Sequence, residues 1–494
     1  MSPLVERAPR RWLLEAKQRF SRSLVWQLQR AYYQRRGVDA WRTGEIPHYV
    51  TSNPTVANAY AEIVFATARD CPSTDEPLHV CEIGGGSGRF AFHFLQRLAS
   101  LCAETGVALE SFRYLLTDCV DGNRAFWRAH PAFRPFFARG VLEVGAFDAV
   151  ASREIALDGR VLRAGDLRRP LVAVANYVLD SLPTDLFYLE DGACSDCLVS
   201  LLTDEDPQSL DEADLLPHLR IRYHRVPLGT EPYDEPLLAR ILSGYRAALA
   251  RTHLLFPAVA LRCLDRLRAL SERGLVLLAA DKGDHRLAAL DGKKPPRPVR
   301  HGGAFSLNAN FHAVKAWTEL AGGVALFPDA RHHHIDVACC LATDGAGDLR
   351  ETARAFRRHL GEFGPDDFYS VMVHGHRTAD RMGLEELLAH LRLGRFDAFQ
   401  LARLLPRLHQ LAPSLRTGER ERLRAAVDRV WEGYFPLGEQ PDLAFAIAEL
   451  LYALDDVAGA RDYLARSIAL YGPHEGSTQN LALCDRLLAE RNPS

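Results

Sequence analysis

The sequence predicts an α/β fold, a mostly parallel open sheet between helices, joined to an all-α region at its far end. Three observations predict it. The apolar run Leu78, Val80, Ile83 passes at once into Gly84, Gly85, Gly86 and Gly88 and then into an apolar-periodic segment from Arg89 to Leu101: a buried strand, a glycine turn and a helix. Further candidate strands, Phe112 to Thr117, Val141 to Val144, Leu171 to Ala175 and Gly274 to Ala280, alternate with helical segments, the pattern of a parallel sheet. From about Gly383 the periodicity is helical only.

At 494 residues, 47% hydrophobic and 25% charged, the chain has length for two or three domains with their own cores. A formal net charge of -3 gives no basic field, which argues against a nucleic-acid partner. Only five of the basic residues are lysine (Lys17, Lys282, Lys293, Lys294, Lys315), so arginine clusters reflect residue usage rather than an RNA-binding face. Ten irregularly spaced cysteines and no secretory h-region fit free thiols in a reducing cytosol, and no window approaches 18 uninterrupted apolar residues. The expectation is a cytoplasmic protein without a membrane partner.

Taken in order, residues 1–44 carry Arg7, Arg10, Arg11, Arg19, Arg22, Arg30, Arg35 and Arg36 interleaved with Trp12, Leu13, Leu24, Trp26, Leu28 and Tyr32. An organelle presequence or membrane-surface helix competes with a helical lid on the catalytic domain. Glu6 and Glu15 spoil the presequence, and the aromatics need a core, so a lid is expected. Ile46 to Pro54, with Tyr49 a candidate substrate contact, is a turn-rich lead into a helix from Val56 to Ala68.

At the glycine turn, absent Cβ atoms let a ligand lie against backbone N–H groups at a helix start. A dinucleotide fingerprint wants G-x-G-x-x-G, but Arg89 fills the third glycine slot. The pattern Glu82-x-Gly84-x-Gly86-x-Gly88 instead resembles the first motif of class I S-adenosylmethionine-dependent methyltransferases. The resemblance implies a Rossmann-like sheet with S-adenosyl-L-methionine held by Glu82, Gly84, Gly85, Gly86 and Gly88.

In open α/β sheets ligands bind beyond the strands' carboxyl ends. Asp118 ends the second strand and is placed to accept ribose hydroxyls, or to cap the helix from Gly122 to Ala129. Phe147 and Asp148 follow the third, placed to flank an adenine and accept from its amine, or to form a surface turn. The fourth ends in Asn176-Tyr177-Val178-Leu179-Asp180-Ser181-Leu182-Pro183. With Pro47 to Pro54, this segment resembles the mitochondrial complex I assembly-factor methyltransferases and their bacterial relatives, over roughly residues 45–345. That family typically shows N-E-F-F-D-A-L-P here and is thought to methylate protein arginine. Asn176 and Asp180, which match that segment, would orient the acceptor, with Tyr177 a further catalytic candidate. Tyr177 stands where the family has a glutamate, and tyrosine cannot hold a guanidinium by charge, so an acceptor other than arginine is expected.

Between the fourth and fifth strands, about residues 186–272 form an insertion opening on a hairpin, Leu186 to Glu190 and Cys194 to Leu202, turned by Asp191-Gly192. Cys194 and Cys197 are three apart on a strand, facing opposite sides, and read as ordinary thiols rather than a metal or redox pair. Ser306, Asn308, Asn310 and His312 alternate with apolar residues and would share one face of an extended segment over the cleft, a substrate-orienting row, a solvated edge or an N-cap before the helix from Ala313 to Leu320. The run His332-His333-His334 reads as solvated histidines rather than metal ligands; no metal is expected.

Residues 346–382 read as a linker, and 383–494 as a helical domain. Leu443 to Tyr471 resembles one tetratricopeptide unit, with Ala448 and Ala460 allowing close packing and Gly472 taking the closing turn. These helices are expected to recruit the acceptor and to contribute nothing to cofactor binding. The reading is a methyltransferase acting on a protein or peptide, with a homodimer possible. Its alternatives are a non-catalytic cofactor-binding scaffold working through its helical repeats, and a nicotinamide oxidoreductase.

Overall fold

The computed structural model describes residues 11–73, 75–330, 332 and 334–491; Arg7, Arg10 and His333 lie outside them. Seven strands build the central sheet: β1 (Leu78–Ile83), β2 (Phe112–Asp118), β3 (Leu142–Ala146), β4 (Leu171–Asn176), β5 (Gly274–Asp281), β6 (Val324–Leu326) and β7 (Asp336–Thr343). They stand in the order β6-β7-β5-β4-β1-β2-β3, and the antiparallel hairpin of Ile155–Leu157 and Arg160–Leu162 extends the β3 edge. β1 pairs in parallel with both β2 and β4, whereas β7 runs antiparallel to β5 and β6 antiparallel to β7. This is a Rossmann-like, mostly parallel sheet, and its strand order reverses between β1 and β4.

All six residues of β1 are buried, as both faces of the sheet are covered. Leu78 and Val80 point into the layer of helices Pro54–Asp70 and Arg89–Thr105, while Cys81 and Ile83 point into that of helices Pro236–Ala248, Ala258–Ala269 and Phe311–Leu320. β2 and β5 each run one residue further than their apolar runs suggest, ending in Asp118 and Asp281.

The insertion forms a second sheet from Asp185–Glu190, Ala193–Thr203, Leu219–Pro227 and Arg251–Phe256, and its fifth strand comes from the N-terminus. The all-helical lid expected over residues 1–44 is therefore corrected: Trp12–Gln18 is a strand, antiparallel to Ala193–Thr203. The open edge of Ala193–Thr203 supplies ladder partners that local helical pattern cannot anticipate. Helix Leu24–Arg36 follows, capped by Ser23; Glu15 accepts from the Leu24 N–H at 2.9 Å and from the Ser23 hydroxyl. Phe20, Val25, Trp26 and Leu28 share one apolar cluster with Leu186, Cys197, Val199 and Phe305, so N-terminus and insertion make one cap. Cys194 and Cys197 are free thiols packed in different clusters.

Residues 346–382 are not a linker. They are largely helical, with Arg350–Phe356 and Pro365–Thr378 as α-helices, and Leu349, Phe356 and Leu360 are buried in the cluster that holds Val56, Phe90 and Val174. Asp70 fastens the start of this segment, accepting from the Glu351 and Thr352 N–H groups and the Thr352 hydroxyl.

Helices Leu384–Leu393, Ala398–Leu411, Thr417–Glu432, Leu443–Ala453, Val457–Tyr471 and Glu475–Arg491 share a core of their own. Their separation from the sheet is incomplete, however. Phe435 and Leu437, in the connection after Glu432, are buried in the sheet's cluster, with Phe435 stacked on His130 at 3.9 Å between ring centres and packed on Phe92 and Phe133. Glu439 pairs with Arg89, the first residue of the glycine-turn helix. Among the described residues no helix is long and apolar enough to cross a membrane.

Candidate active site

A cavity of about 610 Å³ opens at the carboxyl ends of β1, β2, β4 and β5, across the point where strand order reverses. Strand-end residues form its floor, and Trp26, Gln29, Arg30, Tyr33 and Trp41 from the cap form its roof. Gly84, Gly85 and Gly86 line it. Gly86 has φ +53°, and a Cβ there would meet the Trp41 indole at 2.8 Å, so the residue must be glycine both for its backbone and for the ring above it. Gly88 does not reach the cavity; it lies where a Cβ would strike Trp127, whose Nε1 donates to the Gly86 carbonyl at 3.1 Å.

Asp118 braces this turn. Its Oδ2 accepts from the Gly86 N–H at 3.1 Å and from Asn123 Nδ2 at 3.0 Å, and its Oδ1 from the Val120 N–H at 2.9 Å. Burial pushes its pKa upward, and those three donors oppose the rise. Asn123, 1% exposed and on the cavity wall, keeps its Oδ1 buried without a partner. Glu82 accepts from the Tyr114 hydroxyl at 2.7 Å, and burial raises its pKa from 4.5 to about 8. It is a neutral acid at the foot of the turn rather than a charge.

At the end of β4, Asn176 Oδ1 accepts from the Tyr60 hydroxyl at 2.9 Å, leaving Nδ2 buried and unpartnered beside the cavity. Tyr177 takes a left-handed backbone, φ +54°, held by its N–H to the Ala280 carbonyl at 3.0 Å. A tyrosine with positive φ is uncommon outside sites where the surroundings fix it, at a cost of about 1–3 kcal/mol. Asp180 lies on the cavity wall against the end of β5, where Asp281 Oδ2 accepts its N–H at 3.0 Å. Burial raises the pKa of both carboxyls, with the charge of Asp180 raising Asp281 further.

Phe147 and Asp148 also line the cavity, and Arg30 of the roof pairs with Asp148 at 2.6 Å. The adenine-flanking pair expected from sequence thus also anchors the cap.

The polar row forms in part and stops at Asn310. Ser306 lines the cavity, but the extended segment ends at Asn310, which caps helix Phe311–Leu320 by accepting from the Ala313 N–H at 2.9 Å; His312 sits inside that helix against the Tyr245 hydroxyl at 2.9 Å. Ser306, Asn308 and Asn310 together line a separate pocket of about 250 Å³. The helix start breaks the period-2 pattern that would have aligned His312 with them. Tyr49 is turned away from the cavity, packed on Phe399 at 4.2 Å between ring centres, with Gln400 donating to its hydroxyl at 3.4 Å; its neighbours His48 and Thr51 are the lining residues. His334 stands on the cavity wall, and among the described residues no group of three His, Cys, Asp or Glu is placed to hold a metal. Sequence reasoning missed Asn123, Asp281, Lys282 and His48. Asp281 follows the same strand-end rule that identifies Asp118, one residue past the apolar run.

No protein-family model matches the chain, and no curated protein does. Among solved structures it is similar to a Burkholderia thailandensis protein inferred to be a methyl transferase and bound to S-adenosyl-homocysteine, at 19% identity over 69% of this chain and 90% of that one, TM-score 0.44. It is similar also to an uncharacterized protein of the same superfamily and organism, at 17% identity over 67% and 94% of the two chains, TM-score 0.39. The CcbJ methyltransferase of Streptomyces caelestis follows at 12% identity over 60% and 97%, TM-score 0.26. At these identities and TM-scores none of them fixes an activity or a ligand for this chain.

Proposed function

We propose that this chain is an S-adenosyl-L-methionine-dependent methyltransferase whose acceptor is carried on a protein or peptide. The single observation that carries the reading is the turn Gly84 to Gly86, bare of side chains, lining together with the strand-end residues Asp118, Asn176 and Asp180 a cavity sized for a small molecule across the strand-order reversal. Pockets of about 300–1,000 Å³ suit ligands of nucleoside size.

The residues fit this cofactor. Gly84 to Gly86 offer backbone without side chains, Asn123 and Asp118 offer acceptors to hydroxyls, and Phe147 offers an apolar wall. Glu82, neutral and tied to Tyr114, supports the turn from below. When bound, S-adenosyl-L-methionine supplies a methyl group activated by a sulfonium. The chain's own part is to bring an acceptor lone pair into line and to exclude water, which is the main demand of a direct displacement. Asn176 Nδ2 and Asp180 face that task, and the cap over Trp26, Tyr33 and Trp41 supplies the exclusion. A dinucleotide is disfavoured because Arg89, in the third glycine slot, is occupied by Glu439 and by the Phe435 carbonyl.

Calorimetry on the full chain should show binding of S-adenosyl-L-methionine and S-adenosyl-homocysteine and none of NAD(P). Incubation with labelled cofactor and candidate partner proteins should transfer label to a residue other than arginine. Binding of NAD(P) in place of the methyl donor would sink the reading.

A further inference from the structure

Lys282, Val299 and Ser306 line both the large cavity and the smaller pocket of about 250 Å³, so the two adjoin. The smaller one is cationic. Lys282, Lys293, Lys294 and Arg297 line it against the carboxylate of Asp284, which stands 3.6 Å from Lys293 Nζ. Among the described residues Lys282, Lys294 and Arg297 form no ion pair; Asp180, on the large cavity's side, feels the charge of Lys282 without pairing to it. Three of the chain's five lysines meet at this one place, so its charge is no by-product of arginine usage.

The backbone that carries these cations is fixed. The Gly292 N–H donates to the Arg251 carbonyl at 3.0 Å, the Lys293 N–H to the Thr252 hydroxyl at 3.1 Å and the His253 N–H to the Lys293 carbonyl at 3.0 Å. The Tyr223 hydroxyl donates to the Pro296 carbonyl at 2.7 Å, and Pro295, Pro296 and Pro298 restrict φ along the rest. A backbone set in advance loses little freedom when a partner arrives. At about 250 Å³ the pocket falls below the roughly 300–1,000 Å³ of a separate small-molecule site, so it suits part of a longer ligand whose other end lies in the large cavity. None of its lining residues is Phe, Tyr or Trp, so a nucleobase finds no ring to stack on. Ser306 and the exposed Asn308, on the same wall, offer hydrogen-bonding groups to a peptide backbone.

We infer that this pocket docks an acidic stretch of the acceptor, Asp or Glu residues flanking the side chain that enters the large cavity. This rests on the methyl-transfer reading above. The same charges turn away arginine-rich segments, which disfavours an arginine acceptor on grounds independent of Tyr177.

The test is fluorescence anisotropy on the full chain saturated with S-adenosyl-homocysteine, with labelled hexaglutamate, hexaglutamine and hexaarginine peptides. Hexaglutamate should bind about tenfold or more tightly than the others, and raising salt from about 0.05 to about 0.5 M should cost it about tenfold. Replacing the three exposed side chains by Lys293→Gln, Lys294→Gln and Arg297→Gln together should weaken hexaglutamate by about tenfold while S-adenosyl-homocysteine affinity, by calorimetry, stays within about twofold. Lys282→Gln should weaken hexaglutamate by about threefold. With labelled S-adenosyl-L-methionine, peptides carrying each nucleophilic side chain between glutamates should be methylated ahead of the same set between arginines. The reverse order, equal binding of hexaglutamate and hexaglutamine, or an unchanged hexaglutamate affinity in the triple variant overturns the inference. So does a uridine hexanucleotide that displaces hexaglutamate at equal charge, which would make the pocket a phosphate site. Failure of the wild type to bind S-adenosyl-homocysteine overturns the methyl-transfer reading beneath it.

Discussion

Single side chains at this site act through what they hold in place. Asp118 shows the principle: with three protein donors on its two oxygens it fixes the glycine turn and orients Asn123. Asp118→Ala should weaken S-adenosyl-homocysteine binding by tenfold or more and destabilise the fold by about 2–4 kcal/mol, the cost of leaving buried donors unpaired, measured by calorimetry and urea unfolding. A smaller loss would mean that water replaces the carboxylate. Glu82 makes a prediction with a sign. Its pKa rises from 4.5 to about 8 on folding, so the neutral acid is the form the folded state favours. That contribution is whole below pH 4.5 and is lost as pH rises through about 8. Relative to Glu82→Gln, the wild type should therefore lose stability, by a few kcal/mol, between about pH 4.5 and 8, given about 1.4 kcal/mol per pKa unit. A flat difference across that window would refute it. Asp118 was legible because it ends a recognisable apolar run next to a glycine turn. Asp281 was hidden by one residue, and Tyr177 showed its chemistry in sequence but not its left-handed backbone, which is set by the Ala280 carbonyl of a neighbouring strand.

Among elements, those joined by local pattern were readable and those joined across the chain were not. β1, its glycine turn and its helix follow from 30 or so consecutive residues. The cap does not, since strand Trp12–Gln18 finds its partner at Val199 to Thr203. The polar row stops short of His312 for a related reason: Asn310 has a helix to cap, and the helix takes His312 out of the alternation. How the cap sits depends on one close approach. A Cβ on Gly303, in the turn between Val299–His301 and Ala304–Ser306, would meet the Tyr32 ring at 2.2 Å. Gly303→Ala should lift helix Leu24–Arg36, at a cost of about 1–3 kcal/mol, and hydrogen exchange in residues 24–36 should quicken while that of β1 does not. Arg30 makes a weaker tie to Asp148, its side chain being 46% exposed, so Arg30→Ala should shift stability by less than about 1 kcal/mol.

For the whole molecule, the helices beyond residue 383 are structurally committed to the sheet domain. That they are helices packed on a core of their own was readable, but nothing in the local sequence announces that Phe435 leaves them to fill an aromatic cluster with Phe92, Phe126, His130 and Phe133. Phe435→Ala should cost about 3–5 kcal/mol and lower the thermal midpoint of the sheet domain as well as that of the helices. If only the helical region loosened, the coupling would be absent. A chain ending near Arg381 should lose cofactor affinity too, since Arg89 and Arg42 would both lose partners on the 433–442 connection. The Arg89–Glu439 contact spans 350 residues. During synthesis at about 5–20 residues per second, the ribosome needs roughly 20–70 s to deliver Glu439 after Arg89. The nascent turn is thus made long before its last support, and the Arg89 guanidinium waits for Glu439 through the synthesis of everything between them.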